Sequence, residues 1–269
     1  MTTVVRRKQQ VKAVDKRAID PSESVHKSKG DHVAHQLLQR IIASDLKQGE
    51  SFATEAELLT QYKVSRPTLR ESLRILEHQG VLELRPGPGG GIILRRPSVA
   101  TLAHNLSVFL RLHDVPFVTV LHAREVIEPS LAAEAATNGT KAEFAELQAS
   151  IDRMKEIDDD QESFLEENRV FHDIIARASG NRVLEVFWST MSILASGEHH
   201  GVSYSASNQR HVIEAHERIL AACRKRDSEA AAIAMREHVT ELETLVRRRF
   251  KHLVGKPTRV VAKPGRSIR

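Results

Sequence analysis

The sequence predicts a mainly α-helical protein: a small N-terminal unit of three helices and a β-hairpin, then an all-α antiparallel bundle of about seven helices. Three observations carry this. Apolar residues recur at the helical period through most of the 269 residues. The clear strand patterns are confined to residues 81–94, either side of a glycine-rich tip. Aromatic residues are only 4% of a chain rich in Ala, Leu, Glu and Arg, a composition that favours helices over sheets.

The small unit spans residues 31–97. Thr54-Glu55-Ala56-Glu57 is a capping box, and Leu58, Leu59 and Tyr62 continue that helix. Lys63-Val64 forms a short turn. Ser65 suits the N-cap of the next helix, and Pro67 is tolerated in a first turn whose N–H groups have no helical partner. Leu69, Leu73 and Leu76 make its apolar stripe, while Arg66, Arg70 and Arg74 form a row on another side, with Thr68 in the first turn between. Gln79-Gly80 stops the helix. Residues 81–84 and 92–94 alternate as strands around Arg85-Pro86-Gly87-Pro88-Gly89-Gly90-Gly91. Two helices across a short turn, the second bearing cations near its N-terminus, suit a DNA major groove. A hairpin whose tip lacks side chains approaches a phosphate backbone closely, as the wing of a winged helix-turn-helix does. An arginine row on an ordinary surface helix is the alternative, and the hairpin that follows decides against it. A nucleotide-cradling loop is excluded, because no helix N-terminus and no Lys-Ser/Thr pair follows the glycines.

The bundle reads as helices over 99–111, 117–137, 141–157, 162–179, 183–195, 209–226 and 228–250. Glu128-Pro129 is expected to bend the second, Thr140 with Glu143 caps the third, and residues 196–207 form a polar loop.

Charge is divided along the chain. Residues 1–30 carry eight Lys/Arg against three Asp/Glu, 31–97 nine against eight, and 98–246 fourteen against twenty-four. Residues 247–269 carry nine basic groups and no acid. Basic arms around an acidic middle fit a DNA-facing chain with a domain of other function between them. Residues 1–30 and 251–269 are expected to be disordered arms. A lone cysteine, Cys223, excludes an intramolecular disulfide. No run of 18 apolar residues and no secretory apolar core is present, so a cytoplasmic setting without membrane attachment is expected, on the nucleoid when the operator is bound.

Asn168 and His172 lie four apart on one helix face. His216 shares an apolar face with Val212, Ile219 and Cys223, and His238 one with Ala231, Met235 and Leu242. Three inward histidines and an amide from three helices can hold a divalent metal with positions left open. With fourteen histidines in the chain, satisfied core residues are the alternative for each singly.

Residues 31–97 resemble the GntR family of bacterial transcription regulators. The resemblance rests on Glu55-Ala56-Glu57-Leu58, on residues 64–71 and on Gly80-Val81-Leu82. It implies that Arg66 and Arg70 contact operator DNA, helped by Ser65, Thr68 and Gly87. Many members carry an arginine between the two glutamates, where this chain has Ala56, so operator sequence does not transfer from them. From about 101 to 250 the chain resembles the FCD effector domain of the FadR subgroup. The markers are residues 124–129, Phe171-His172, Ser179-Gly180-Asn181, Glu214-Ala215-His216, Asp227 and His238. The resemblance implies a zinc, nickel or manganese ion held by Asn168, His172, His216 and His238, with Asn168 where relatives have aspartate and therefore weaker binding. It also implies that Arg124 pairs with the carboxylate of a small organic-acid effector; an interior salt bridge to a nearby glutamate is the alternative.

The expected function is a sequence-specific DNA-binding regulator, a repressor, acting as a homodimer on a palindromic operator and modulated by that effector. The alternatives are a metal-dependent hydrolase fused to a DNA-binding domain, and a domain whose metal is purely structural. A hydrolase needs a general base beside the metal, and Glu217 and Glu237 lie about 100° round their helices from the histidines. No nucleophile elbow is present either.

Overall fold

The computed structural model describes residues 28–87, 91–158, 160–195, 204–250 and 254–261. They form two compact units that part at residues 106/107, later than the 97/98 boundary read from the sequence. The first 27 residues of the N-terminal arm, residues 88–90 of the glycine-rich tip, and residues 196–203 of the polar loop lie outside the described residues, as do 251–253 and 262–269.

In the smaller unit, α1 (Lys29–Ile42) begins inside the segment expected to be an arm. Ser28 caps it, accepting from the Asp31 N–H while its own N–H donates to Asp31 Oδ2. This reciprocal pair satisfies two donors that a helix start otherwise leaves orphaned, so the helix reaches back past residue 31. Next come β1 (Ser51–Ala53), α2 (Glu55–Tyr62) and α3 (Arg66–His78), with Thr54 and Glu57 closing the expected capping box. Lys63 turns the chain in the left-handed region at φ 51°. Ser65 then caps α3, accepting from the Thr68 N–H at 3.3 Å. After α3 the chain reverses at Gly80, whose φ of +76° a side chain would strain. β2 (Leu82–Arg85) and β3 (Gly91–Leu94) pair antiparallel, Leu82 opposite Leu94 and Arg85 opposite Gly91.

The sheet has three strands rather than two, in the order β1-β3-β2. Ser51 pairs with Ile93 and Ala53 with Ile92. Three residues are too few for alternation to reveal, and their partner lies some forty residues on. Leu37, Leu58, Leu69, Leu73, Leu76 and Leu82 fill the core beneath.

The larger unit takes in α5 (Phe117–Asn138), α6 (Lys141–Glu156), α7 (Gln161–Ala178), α8 (Arg182–Ala195), α9 (Ala206–Arg224) and α10 (Ser228–Arg249), with α4 (Val99–Leu112) leading into it. That gives the expected seven helices among the described residues. α5 is the central helix. It continues through Pro129, although the missing N–H leaves the Glu125 carbonyl without its helical donor. Buried Leu131, Ala132, Ala135 and Ala136 let neighbours approach α5 closely, and α10 packs along it most extensively.

The basic tail is not free along its length. Lys256 O accepts from Phe117 N at 3.0 Å, and Thr258 N donates to Val115 O at 2.9 Å, with Pro116 opposite Pro257. Thr258 is fully buried, its hydroxyl also on Val115 O. The expectation of disorder over 251–269 is corrected for this stretch. Pro116 has no side chain that can cap α5, and the returning strap supplies an acceptor instead.

Candidate functional site

Two surfaces draw together the residues singled out from the sequence. On the smaller unit, Ser65, Arg66, Arg70 and Arg74 are exposed and Thr68 is half-buried. Arg66, Arg70, Arg74, Glu71 and His78 line a shallow groove along the outer side of α3. Arg70 Nε lies 3.5 Å from Glu55 Oε2, an exposed pair that holds the guanidinium loosely. The Ser65 and Thr68 hydroxyls sit 2.8 Å apart and serve the cap, which fixes where the helix starts. Gly87 is exposed in the wing at φ +93°, with nothing near enough to meet an added Cβ. The backbone conformation, not space, therefore calls for glycine there.

In the larger unit, three helices aim imidazoles at one point. His172 on α7, His216 on α9 and His238 on α10 are all buried. The Nε2 atoms of His172 and His238 are 3.1 Å apart, those of His216 and His238 3.2 Å. A tetrahedral zinc with Zn–N bonds of about 2.0–2.1 Å sets its nitrogens about 3.3 Å apart. Two of the separations therefore match those of nitrogens on one divalent ion, and the three histidine donors all lie within 4.8 Å of one another. Packing holds the rings: His216 stacks on Phe171 with centroids 3.7 Å apart, and His172 leans on Trp188. Asn168, one turn before His172, has a buried Oδ1 without a hydrogen-bond partner, and His216 Nδ1 is likewise buried and unpartnered. A buried unpaired acceptor is costly, and a cation would satisfy the Asn168 oxygen.

Behind His172 stands a residue the sequence reading did not single out. Glu128 on α5 is buried, its Oε2 2.5 Å from His172 Nδ1 and its Oε1 accepting from Arg124 Nε at 2.6 Å. Burial alone would push the Glu128 carboxyl up. The Arg124 guanidinium, foremost, and the His172 imidazole beside it outweigh burial and hold the group at about 2. The i,i+4 spacing of Arg124 and Glu128 was a legible signal for a salt bridge; their approach to His172 was not.

Arg124 thus makes the interior salt bridge held open as its alternative, and it also faces a cavity. Its guanidinium lies over Trp188, 5.1 Å from the ring centroid. Its two Nη groups have no hydrogen-bond or ion-pair partner among the described residues. The cavity, about 210 Å³, is lined by Arg124, Asn168, His172, Arg169, Trp188 and Tyr204 among others. Of the three histidines, His172 alone reaches its wall; His216 and His238 lie behind. The Trp188 indole N–H donates to Asp173 Oδ1 at 2.8 Å, and Asp173 also pairs with Arg169, so the aromatic wall is pinned. Glu217 pairs with Lys155 at 2.6 Å and Glu237 is exposed, so neither turns toward the histidines.

Burial, reinforced by neighbouring positive charge, holds the His216 and His238 imidazoles well below the usual histidine range. Unfolded, the same groups titrate near about 6.5. Below that pH the unfolded chain takes up protons that the folded chain refuses, so stability is complete above it and declines as pH falls. Metal-stripped protein should therefore melt progressively lower from about pH 7 to about pH 5.5. A melting temperature that rises or stays flat over that window contradicts the neutral, buried assignment.

Comparison with known proteins finds a match for each of the two domains. Residues 29–92 match the family model described as bacterial regulatory proteins, gntR family, and residues 119–241 match that of the FCD domain. The chain is 27% identical over 244 residues to the HTH-type transcriptional repressor NanR of Citrobacter rodentium, covering 86% of this chain and 90% of that protein. It is 28% identical over 214 residues to the Uxu operon regulator of Haemophilus influenzae, covering 77% and 78%. Among solved structures, Streptococcus agalactiae GntR superposes with a TM-score of 0.66 at 23% identity, over 80% of this chain and 99% of that one, a likeness of fold.

Proposed function

The chain belongs to the GntR family, a DNA-binding transcriptional regulator with an FCD domain, and from that premise we propose that it is a homodimeric repressor whose hold on its operator is set by a small organic carboxylate in the α5–α7–α8 cavity. The observation that carries the effector reading is the Nη edge of Arg124, without a partner among the described residues and buried on a cavity wall shared with Asn168 and His172. A fork of donors held in place by Glu128 and Trp188 suits a carboxylate, which accepts two parallel N–H bonds. Repression follows the relatives named as repressors. Two-fold symmetry follows from reading a palindromic site with one α3 per half.

His172, His216 and His238, with Asn168 beside His172, are the residues that hold a divalent ion in this reading. Bound there, the ion supplies a Lewis-acidic anchor for an anionic ligand. The protein's part is to orient: α7, α9 and α10 each contribute a donor, Phe171 and Trp188 keep rings in place, and the core keeps water away. No helix among the described residues is long and apolar enough to cross a membrane. A ligand shifts operator affinity only if it binds the DNA-competent and DNA-incompetent arrangements unequally.

The test is an operator titration with a panel of small hydroxy- and dicarboxylic acids, run beside elemental analysis of natively purified protein. At least one acid should change operator affinity in the wild type and have no effect on Arg124→Met. An effect that survives in that variant removes Arg124 from the site. A wild type without metal whose melting is unmoved by added zinc, nickel or manganese removes the ion.

A further inference from the structure

We propose that Glu128 is the positioning residue that ties the metal site to the effector site, one carboxylate oxygen fixing His172 and the other fixing Arg124. This rests on the reading of the histidine cluster as a divalent-metal site. Glu128 is 1% exposed, and its two oxygens face two different functional groups: Oε2 is 2.5 Å from His172 Nδ1, and Oε1 is 2.6 Å from Arg124 Nε. A residue that served Arg124 alone, as a buried counter-ion, has no need to present its second oxygen to the back of an imidazole whose front nitrogen meets His238.

The chemistry of the donor set gives that contact a purpose. Oε2 and Nδ1 meet as a close ion pair rather than as an aligned hydrogen bond; a carboxylate so near Nδ1 favours the ring proton there and leaves Nε2 as a lone pair aimed at the cluster centre. It also supplies negative charge that the donors lack, since three imidazoles and the Asn168 amide are all neutral ligands. In this chain the anion stands one group back from the ion, on the far side of His172. A ligand that draws the Arg124 guanidinium toward the cavity therefore pulls on the same carboxylate that sets His172. Whatever factor the metal applies to anion affinity, the anion applies to metal affinity, by linkage.

The experiment uses the full-length protein, with zinc alone as probe for affinity, measured by chelator competition, and cobalt(II) as probe for geometry, read in the visible spectrum. Glu128→Gln keeps the shape and removes the charge. It should weaken zinc by roughly 10–100-fold, the usual loss when a partner behind a histidine ligand is removed, and alter the cobalt spectrum. A folded Glu128→Gln that holds zinc like the wild type, with an unchanged cobalt spectrum, overturns the proposal and leaves the metal site standing. A wild type that binds neither ion overturns the proposal together with the metal reading beneath it. Should the glutamine variant fail to fold, Glu128→Asp keeps the charge but withdraws the carboxylate by one methylene, and the same two readouts decide.

Discussion

Arg70→Ala is expected to cut sharply the preference for the operator over random DNA at moderate salt while leaving the fold intact. Arg70 sits in the second turn of α3, exposed, between Arg66 and Arg74 on the groove-facing row. A bidentate arginine–guanine contact discriminates by about 1–3 kcal/mol, so selectivity should fall roughly 5- to 150-fold, with the larger loss if Arg66 depends on its neighbour for alignment. The pair with Glu55 is too exposed for its loss to matter to stability. Arg74→Ala, one turn farther along, should weaken specific and random DNA more evenly, as a phosphate contact does. A gel-shift titration of folded Arg70→Ala with undiminished selectivity would remove α3 from sequence recognition.

The second large effect is expected at His216. His216→Ala removes one of three converging nitrogens from a fully buried position, stacked on Phe171. Wild type at a metal concentration 100 times its dissociation constant should gain about 2.7 kcal/mol of stability, and the alanine variant none. Asn168→Asp should move the other way. It restores a charge where the present residue offers only an unpartnered amide oxygen, so purified Asn168→Asp should retain more metal than the wild type. Equal metal retention by all three proteins would remove both residues from the ligand set.

What the sequence made legible was local. Capping boxes at Thr54/Glu57 and Thr140/Glu143, the Ser65 cap and the Lys63-Val64 turn depend on neighbours three or four residues away, and the structure forms each of them. Inward placement of His216 and His238 followed from the helical period of their own segments. What stayed hidden was long-range. β1 gains its identity from Ile92 and Ile93, not from its own three residues. Glu128 looked like one more acid near Arg124, because nothing in residues 124–129 records that α7 brings His172 Nδ1 against it. The start of α1 was lost inside a count of basic residues: Ser28 and Asp31 form a cap, and the charge pattern masked it.

The strap at Lys256–Thr258 gives the larger unit a particular order of assembly. The N-terminus of α5 is finished by backbone that emerges about 140 residues later, after every other helix of the bundle. During synthesis, α5 through α10 can pack as they leave the ribosome, but the Phe117 N–H waits for the Lys256 carbonyl, and Val115 waits for Thr258. Closing so long a loop carries an entropic cost that only prior packing of the helices between can reduce. Arg124 and Glu128 lie on that same helix, two to three turns from its start. The segment that carries both groups is thus the first of the bundle's central elements to be made and the last to be clasped.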